Sequence, residues 1–536
     1  MKLTYEGIRD RKSWEQAGIE LPTYDVEAVS EKARKDPVWV HFGIGNIFRI
    51  FVGGLADTLI REGELDRGIT CAETFDFEVA DKIYAPFDNL VLAVTLHADG
   101  RTDKKVLGSL AEAVKACSAD PGAWARMKEI FRNPGLQMVS FTITEKGYAL
   151  RNPDGELFGF VRNDLEKGPE QVTGAMGVVT AMLLERFRAG RMPLALVSMD
   201  NVSQNGKKLQ ESVLEMAQGW LEKGFVEPDF LAYVQDEKCV TFPWSMIDKI
   251  TPRPSEDVLA MLEKDGVEDM APVVTSKHTY IAPYANAEGP QYLVIEDSFP
   301  NGRPPLEKAG VFMTSRETVN KSERMKVTVC LNPIHTALVS YDIMLGYTLF
   351  ADGMHDPQLD ALARRVGYTE GLPVVEDPGI LSPKAFLDEL MAERFPNPYL
   401  GDTSARIATD ISQGVGIRFG ETTKAYMARK GTAQELVAIP LAVAGWLRYL
   451  LGVDDQGAPI EFSPDPMVPY MKEQLAGIVV GQPDSLKDQL KPVLSNVNIF
   501  GVDYYEAGLG EKIETMFREE IEGPGAVRRT LIRYLG

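Results

Sequence analysis

The chain is short of the residues that build disulfide and metal frameworks. Its 536 residues contain four cysteines, Cys71, Cys117, Cys239 and Cys330, and no CxxC pair. Cysteines this sparse exclude a disulfide-stapled scaffold and point to reduced thiols and a cytoplasmic address. Histidine is also scarce: His41, His97, His278, His335 and His355 stand apart from one another, and no HExxH occurs. A zinc site with several histidine ligands is therefore not expected. Positive charge is in deficit, with 57 Lys and Arg against 78 Asp and Glu, a net charge of −21. Such a field repels DNA, RNA and anionic lipid, which argues against nucleic-acid and membrane partners. A small anionic substrate stays open, because a site needs only a few local cations. Long apolar runs are missing too. The stretch LVAIPLAVAGWL lies between Glu435 and Arg448, contains Pro440 and is too short to span a bilayer. The first sixteen residues, MKLTYEGIRDRKSWEQ, lack the apolar centre of a signal peptide.

What is present is ordinary for a globular chain: 44% apolar, 25% charged and 9% aromatic residues. At about 150 residues per domain, this length implies three or four domains, or two large ones. No internal repeat or low-complexity tract is found. The first forty residues read as an appendage with a charged helix at 26–35. A buried strand is expected at 38–42, a tight turn at 43–46 and a helix at 47–60. Further apolar runs follow at 68–73, 89–96, 136–144 and 193–201. Helical patterns lie between several of them, as at 172–188, and another follows Asn205. Strands alternating with helices imply an α/β unit with a doubly wound, Rossmann-like parallel sheet. After about residue 310 the patterns are mostly helical. The expected division is residues 1–310, a nucleotide-binding domain with an N-terminal extension, and residues 311–536, a mainly helical substrate domain.

Five groups carry candidate chemistry. The first is Gly43-Ile44-Gly45-Asn46-Ile47-Phe48-Arg49. Its first glycine permits the turn, and its second lets the backbone approach a pyrophosphate at the following helix N-terminus. Phe48 replaces the third glycine of the usual fingerprint. Glu73, at the end of the next strand, is placed to bind a ribose 2′-hydroxyl, with Asp76 a competitor. The second group, Thr144-Glu145-Lys146-Gly147-Tyr148, is a polar loop suited to cofactor or substrate, or equally a surface turn. The third is Ser198-Met199-Asp200-Asn201 with Asn205-Gly206; an acid or amide before a helix is most often an N-cap. The loop from Phe242 through Asp248 adds a further acid. The fourth is Lys326, Asn332, Pro333 and His335, in which Asn332 and Pro333 read as N-cap and first helical residue. A lysine, an amide and a histidine together can handle a carbinol: base, alkoxide holder and hydroxyl anchor. The last, residues 397–419, reads as a polar loop between helices, a site wall or simply an irregular connection, and carries Arg406, Asp410, Ser412, Gly414 and Arg418.

In this order the groups resemble the polyol-specific long-chain dehydrogenase/reductase (mannitol dehydrogenase) family. The resemblance rests on HFGIGNIFR, SFTITEKGY, SMDNVSQNG, FPWSMIDKITP, KVTVCLNPIHTAL, NPYLGDTSARIATDIS and AGWLRYL, from residue 41 to about 450. It implies a nucleotide-binding domain and a helical domain with the active site between them, NAD as cofactor, and no metal. Lys326 would be the general base. Asn201 and Asn332 would form the oxyanion pocket, and His335, Asp248 and Arg406 would contact the sugar chain. Gly43, Gly45, Asn46, Arg49, Glu73, Thr144 and Glu145 would meet the cofactor. Two departures stand out. Lys326 lies six residues before Asn332 where the family has five, which implies an inserted residue and a local bulge. Gly414 stands where the family usually has a substrate-contacting lysine, which leaves Arg406 to pair with an acid substrate. The LNPIHTAL form of the motif resembles the mannonate oxidoreductase/fructuronate reductase branch, so a sugar acid is the expected substrate. A neutral-polyol dehydrogenase, or a relative that binds cofactor or sugar without turnover, is the alternative. The sequence does not speak to oligomeric state.

Overall fold

The structure is a computed structural model that describes all 536 residues. It divides into two compact units, Met1–Asn320 and Lys321–Gly536. No helix is long and apolar enough to cross a membrane.

The first unit is built on six parallel strands. They are β1 (Trp39–Phe42), β2 (Ile69–Glu73), β3 (Leu110–Lys115), β4 (Met138–Phe141), β5 (Leu194–Ser198) and β6 (Val240–Thr241), in the spatial order β3-β2-β1-β4-β5-β6. All pairings are parallel; Val40 of β1, for example, lies between Thr70 and Val139. β1, β4 and β5 are buried along their whole length, which is why they appear in the sequence as apolar runs rather than alternating ones. Crossover helices include Gly53–Arg61, Pro121–Arg132 and Ala175–Arg188. The winding direction reverses between β1 and β4, so the crevice that binds ligands in doubly wound sheets opens beyond the ends of these two strands.

Three expectations are corrected. The run at 89–96 does not join this sheet. Its strand, Val91–Leu96, pairs antiparallel with Thr102–Leu107 and parallel with Tyr284–Glu288 in a second sheet. The cause is local: Asp99-Gly100, with Gly100 at φ +86°, makes a hairpin turn, and a turn that short joins only antiparallel strands. The N-terminal forty residues are no appendage. Strand Ile19–Glu20 extends the second sheet, and Leu3, Trp14, Ile19 and Leu21 are buried in one cluster with Leu92 and Val94. The segment expected as a loop around Asp248 is a strand, Ser245–Asp248, antiparallel to Tyr292–Glu296.

The second unit is helical and centred on Asn332–Leu345, Ala438–Tyr449 and Gly510–Glu520. Ala438–Tyr449 is buried on every side. It passes Asn332–Leu345 so closely that a Cβ on Gly445 would stand 2.3 Å from Tyr341 Cζ. The Tyr341 hydroxyl, with one proton to give, lies 2.7 Å from Leu441 O and 2.6 Å from Glu520 Oε1. Glu370 caps the middle helix from outside, its carboxylate accepting from the amides of Val437, Ala438 and Ile439 at 2.7–2.9 Å.

Candidate active site

At the end of β1 the chain turns at Gly43, whose φ is +93°. A Cβ there would sit 2.1 Å from Thr142 O, so only glycine lets the two strand ends meet at the switch point. At Gly45 a Cβ would meet nothing within 4 Å, which leaves the backbone open on that side. Phe48, in place of a third glycine, stacks on the His41 ring at 4.0 Å. His41 is buried between Ser140 Oγ at 2.6 Å and Thr142 Oγ1 at 2.8 Å, and burial holds it neutral.

Glu73 closes the other side of the turn. Its Oε1 accepts from the amides of Thr74 at 2.9 Å, Phe75 at 2.7 Å and Asp76 at 3.3 Å. Its Oε2 has only the long 3.4 Å contact from Ile44 N, so it retains capacity to accept from a hydroxyl. Burial raises the pKa of this carboxyl, and the amides oppose that rise. The competitor, Asp76, is buried and accepts from Thr275 Oγ1 at 2.6 Å.

Arg49 is not at the crevice. It is 1% exposed, and it donates to Ala282 O at 2.8 Å, Tyr284 O at 2.9 Å and Asn46 Oδ1 at 2.8 Å. It ties the glycine turn to the second sheet and orients Asn46. Burial lowers its pKa to about 10.

The TEKGY segment is a one-turn helix, Thr144–Tyr148, rather than a loop. Asp200, which does not serve as an N-cap, holds it in place. Its carboxylate accepts from Ile143 N at 2.9 Å, Thr144 N at 3.0 Å and Tyr148 Oη at 2.6 Å. Those bonds fix Thr144 at φ +62°, a costly value for a β-branched residue. Glu145 is exposed and ion-paired with Lys208. Asn201 is exposed just beyond β5, while Asp248 is buried in its strand. Asn205 is buried and spans Ser198 O, Asp200 O and Ser245 O at 3.0–3.2 Å, which fixes the β5 end.

In the second unit Lys326 is 2% exposed and opens a π-helical turn, Lys326–Cys330. The turn is closed by Leu331 N donating to Lys326 O at 3.0 Å. A π-turn is an α-turn with one residue added, and so it accommodates the extra residue between Lys326 and Asn332. Asn332 is the first residue of the next helix rather than its N-cap, which is Leu331, and it is half-exposed. His335, in its first turn, lies edge-on to Phe350 at 4.7 Å and Phe395 at 5.1 Å. Burial first, and then Arg394, Arg418 and Arg406, pull its pKa down to about 3, so the ring stays neutral.

Residues 397–419 are largely helical instead of a loop, with short helices at Ser404–Ile407 and Ile411–Val415 and a π-turn at Gly416–Gly420. Ser404 donates to buried Asp342 at 2.9 Å, which seats the turn bearing Arg406. Arg406 itself is 65% exposed at its side chain and ion-paired with Asp402. Gly414 leaves no void, because the Arg418 guanidinium covers it. No group of three or more His, Cys, Asp or Glu side chains is placed to hold a metal ion.

A six-stranded doubly wound sheet with an open glycine turn and an acid at the next strand end defines a dinucleotide-binding unit. The chain belongs to the mannitol dehydrogenase family and is an oxidoreductase acting on CH–OH donors: residues 38–308 match the family's Rossmann domain and residues 318–519 its C-terminal domain. It is 52% identical over 539 aligned residues to D-mannonate oxidoreductase of Thermotoga maritima, covering 100% of this chain and 99% of that one. The D-mannonate oxidoreductase of Escherichia coli is 31% identical over 68% of this chain and 70% of its own length. Among solved structures, substrate-free D-sorbitol dehydrogenase superposes with a TM-score of 0.79 at 25% identity, covering 96% of this chain and 98% of that one. Pseudomonas fluorescens mannitol 2-dehydrogenase, solved with NAD and D-mannitol, shares the fold at a TM-score of 0.69 and 24% identity, over 99% of each chain.

Proposed function

We propose that this chain uses NAD to interconvert a secondary alcohol and a ketone on a sugar acid of the D-mannonate/D-fructuronate type. The observation that carries the reading is the full-length, 52% identity to the protein named D-mannonate oxidoreductase in Thermotoga maritima. Three arginines close enough to depress the pKa of one histidine, in a chain with a net charge of −21, agree with an anionic substrate.

The residues at the strand ends fit the cofactor. Gly43 and Gly45 keep the turn tight and bare, Asn46 is held by Arg49, and Glu73 Oε2 can accept from a ribose 2′-hydroxyl. A 2′-phosphate would face that carboxylate, which favours NAD over NADP. Thr144 and Glu145 border the same strand ends. When bound, NAD supplies the hydride acceptor. Oxidation also requires a proton to leave the hydroxyl, and we assign its removal to Lys326, with no metal ion involved. Asn201 and Asn332 are assigned as donors to the developing alkoxide. Neutral His335 can donate from one ring nitrogen and accept at the other, which suits it to hold a hydroxyl. Asp248 and Arg406 are assigned to the remainder of the sugar chain.

A panel of aldonates, keto-uronates, alditols and ketoses, assayed with both nicotinamide cofactors and with chelator present, tests this reading. Turnover of D-mannonate with NAD, insensitive to chelation, is the expected result. Turnover confined to neutral polyols would replace the substrate, and activity lost on chelation and restored by zinc would replace the chemistry.

A further inference from the structure

Arg418, half-buried in the second unit, has no acid partner and few acceptors. Arg418 Nη1 donates to Thr336 Oγ1 at 2.7 Å, and this is its one hydrogen bond to the protein. It forms no ion pair, and burial alone accounts for the lowering of its pKa. The guanidinium lies over Gly414: an ideal Cβ there would stand 2.5 Å from Arg418 Cζ and 2.5 Å from its Nε. The absence of a side chain at 414 is therefore what lets the group lie where it does. Thr336 follows His335 directly, and the charge of Arg418 is felt at the His335 ring. Arg406, by contrast, is largely exposed and already satisfied by Asp402. A desolvated guanidinium with free N–H groups is costly unless an anion completes it, and a carboxylate is the anion whose two oxygens match its fork.

We infer that Arg418, seated over Gly414 and steadied by Thr336, takes the carboxylate of the acid substrate. This rests on the sugar-acid reading above and adds the residue that selects acids over neutral polyols.

The test is steady-state kinetics on the full chain with D-mannonate as the acid and D-mannitol as the neutral comparison. Where D-mannitol turns over slowly, its inhibition constant against D-mannonate replaces its rate. Arg418→Gln should lower kcat/KM for the acid by about 30-fold or more, chiefly through KM, as expected for a lost charge-assisted pair, and change the neutral arm by less than about 3-fold. Arg418→Lys keeps the charge without the planar fork and should fall between the two. Gly414→Ala retains the arginine but displaces it, and should cause the same selective loss; its backbone is not in the left-handed region, so the methyl group itself is tolerated. Unchanged NADH binding shows that each variant is folded. Equal losses on acid and neutral substrates, or no loss on either, would overturn the role of Arg418 while wild-type turnover of D-mannonate leaves the sugar-acid reading standing. A wild-type enzyme that turns over no sugar acid would overturn that reading and this inference with it.

Discussion

At the strand ends of the first unit, carboxylates hold backbone amides, whereas in the second unit the charges of three guanidinium groups are felt at the uncharged His335 ring. Glu73 collects three amides on one oxygen, and Asp200 collects two amides and a phenol. The one arginine of the glycine turn, Arg49, is spent on carbonyls. In the second unit Arg394, Arg406 and Arg418 all act on His335. The difference is one of material. The first unit presents backbone groups fixed by acids, which suits a ligand recognised by shape and by a few hydroxyls. The second presents charged side chains, Lys326 and Arg418 among them on π-turns, which suits an anionic substrate and proton transfer.

The largest effect is expected at Lys326. Lys326→Ala should lower oxidation by about 10²-fold or more, the usual scale for loss of a general base. NADH binding, read by fluorescence titration, should stay near wild type. Near-normal turnover would move the proton transfer to another residue, and lost NADH binding would show that the two functions are not separable.

The next effect concerns the cofactor. With Glu73→Ser the ratio of kcat/KM for NAD to that for NADP should fall by about 10-fold or more, because a hydroxyl removes the charge that opposes a 2′-phosphate. An unchanged ratio, or a wild-type enzyme that prefers NADP, would remove Glu73 from the site. A smaller loss is expected at Asp200. Asp200→Asn turns an acceptor into a mixed group facing three donors, and should destabilise the chain by about 1–3 kcal/mol in denaturant titrations. It should also raise KM for NAD while leaving kcat within about 3-fold, since the residue positions the 143–144 turn and does no chemistry.

How far each half was legible follows from the range of its contacts. β1, β4 and β5 are apolar throughout because both faces are covered, and the glycine turn is local, so the doubly wound sheet could be read directly. Arg49 could not. It stands in the cofactor motif, yet its acceptors at 282–284 lie more than 230 residues away. The second sheet was hidden by a single hairpin at Asp99-Gly100. In the second unit the bulge after Lys326 was visible as one extra residue, and it is a π-turn. Arg418 stood in the polar segment without a role, because its place depends on Thr336, 82 residues earlier, and on a missing side chain at 414. Glycine in a polar segment reads as flexibility, while here it makes room for a cation.

The smallest effect separates the two units by pH. Asp200 has three donors against its burial, but Glu520, deep in the second unit, has one hydrogen-bond donor, Tyr341 Oη, while its Oε2 has no partner. Burial pushes the Glu520 carboxyl up to about 8. In the unfolded chain it returns to about 4.3. Below that value both states carry the proton, and the group adds no pH dependence. Between about pH 4.3 and 8 the folded state keeps a proton that the unfolded state has released, so stability falls as pH rises across this window. Glu520→Gln keeps an acceptor for Tyr341 and never ionises. Its melting temperature should match wild type near pH 4.5 and exceed it by several degrees at pH 8. A variant less stable than wild type at pH 8 would show that the carboxylate is ionised in the fold and paired through Arg448, and the second unit would then rest on a buried ion pair rather than on a neutral acid.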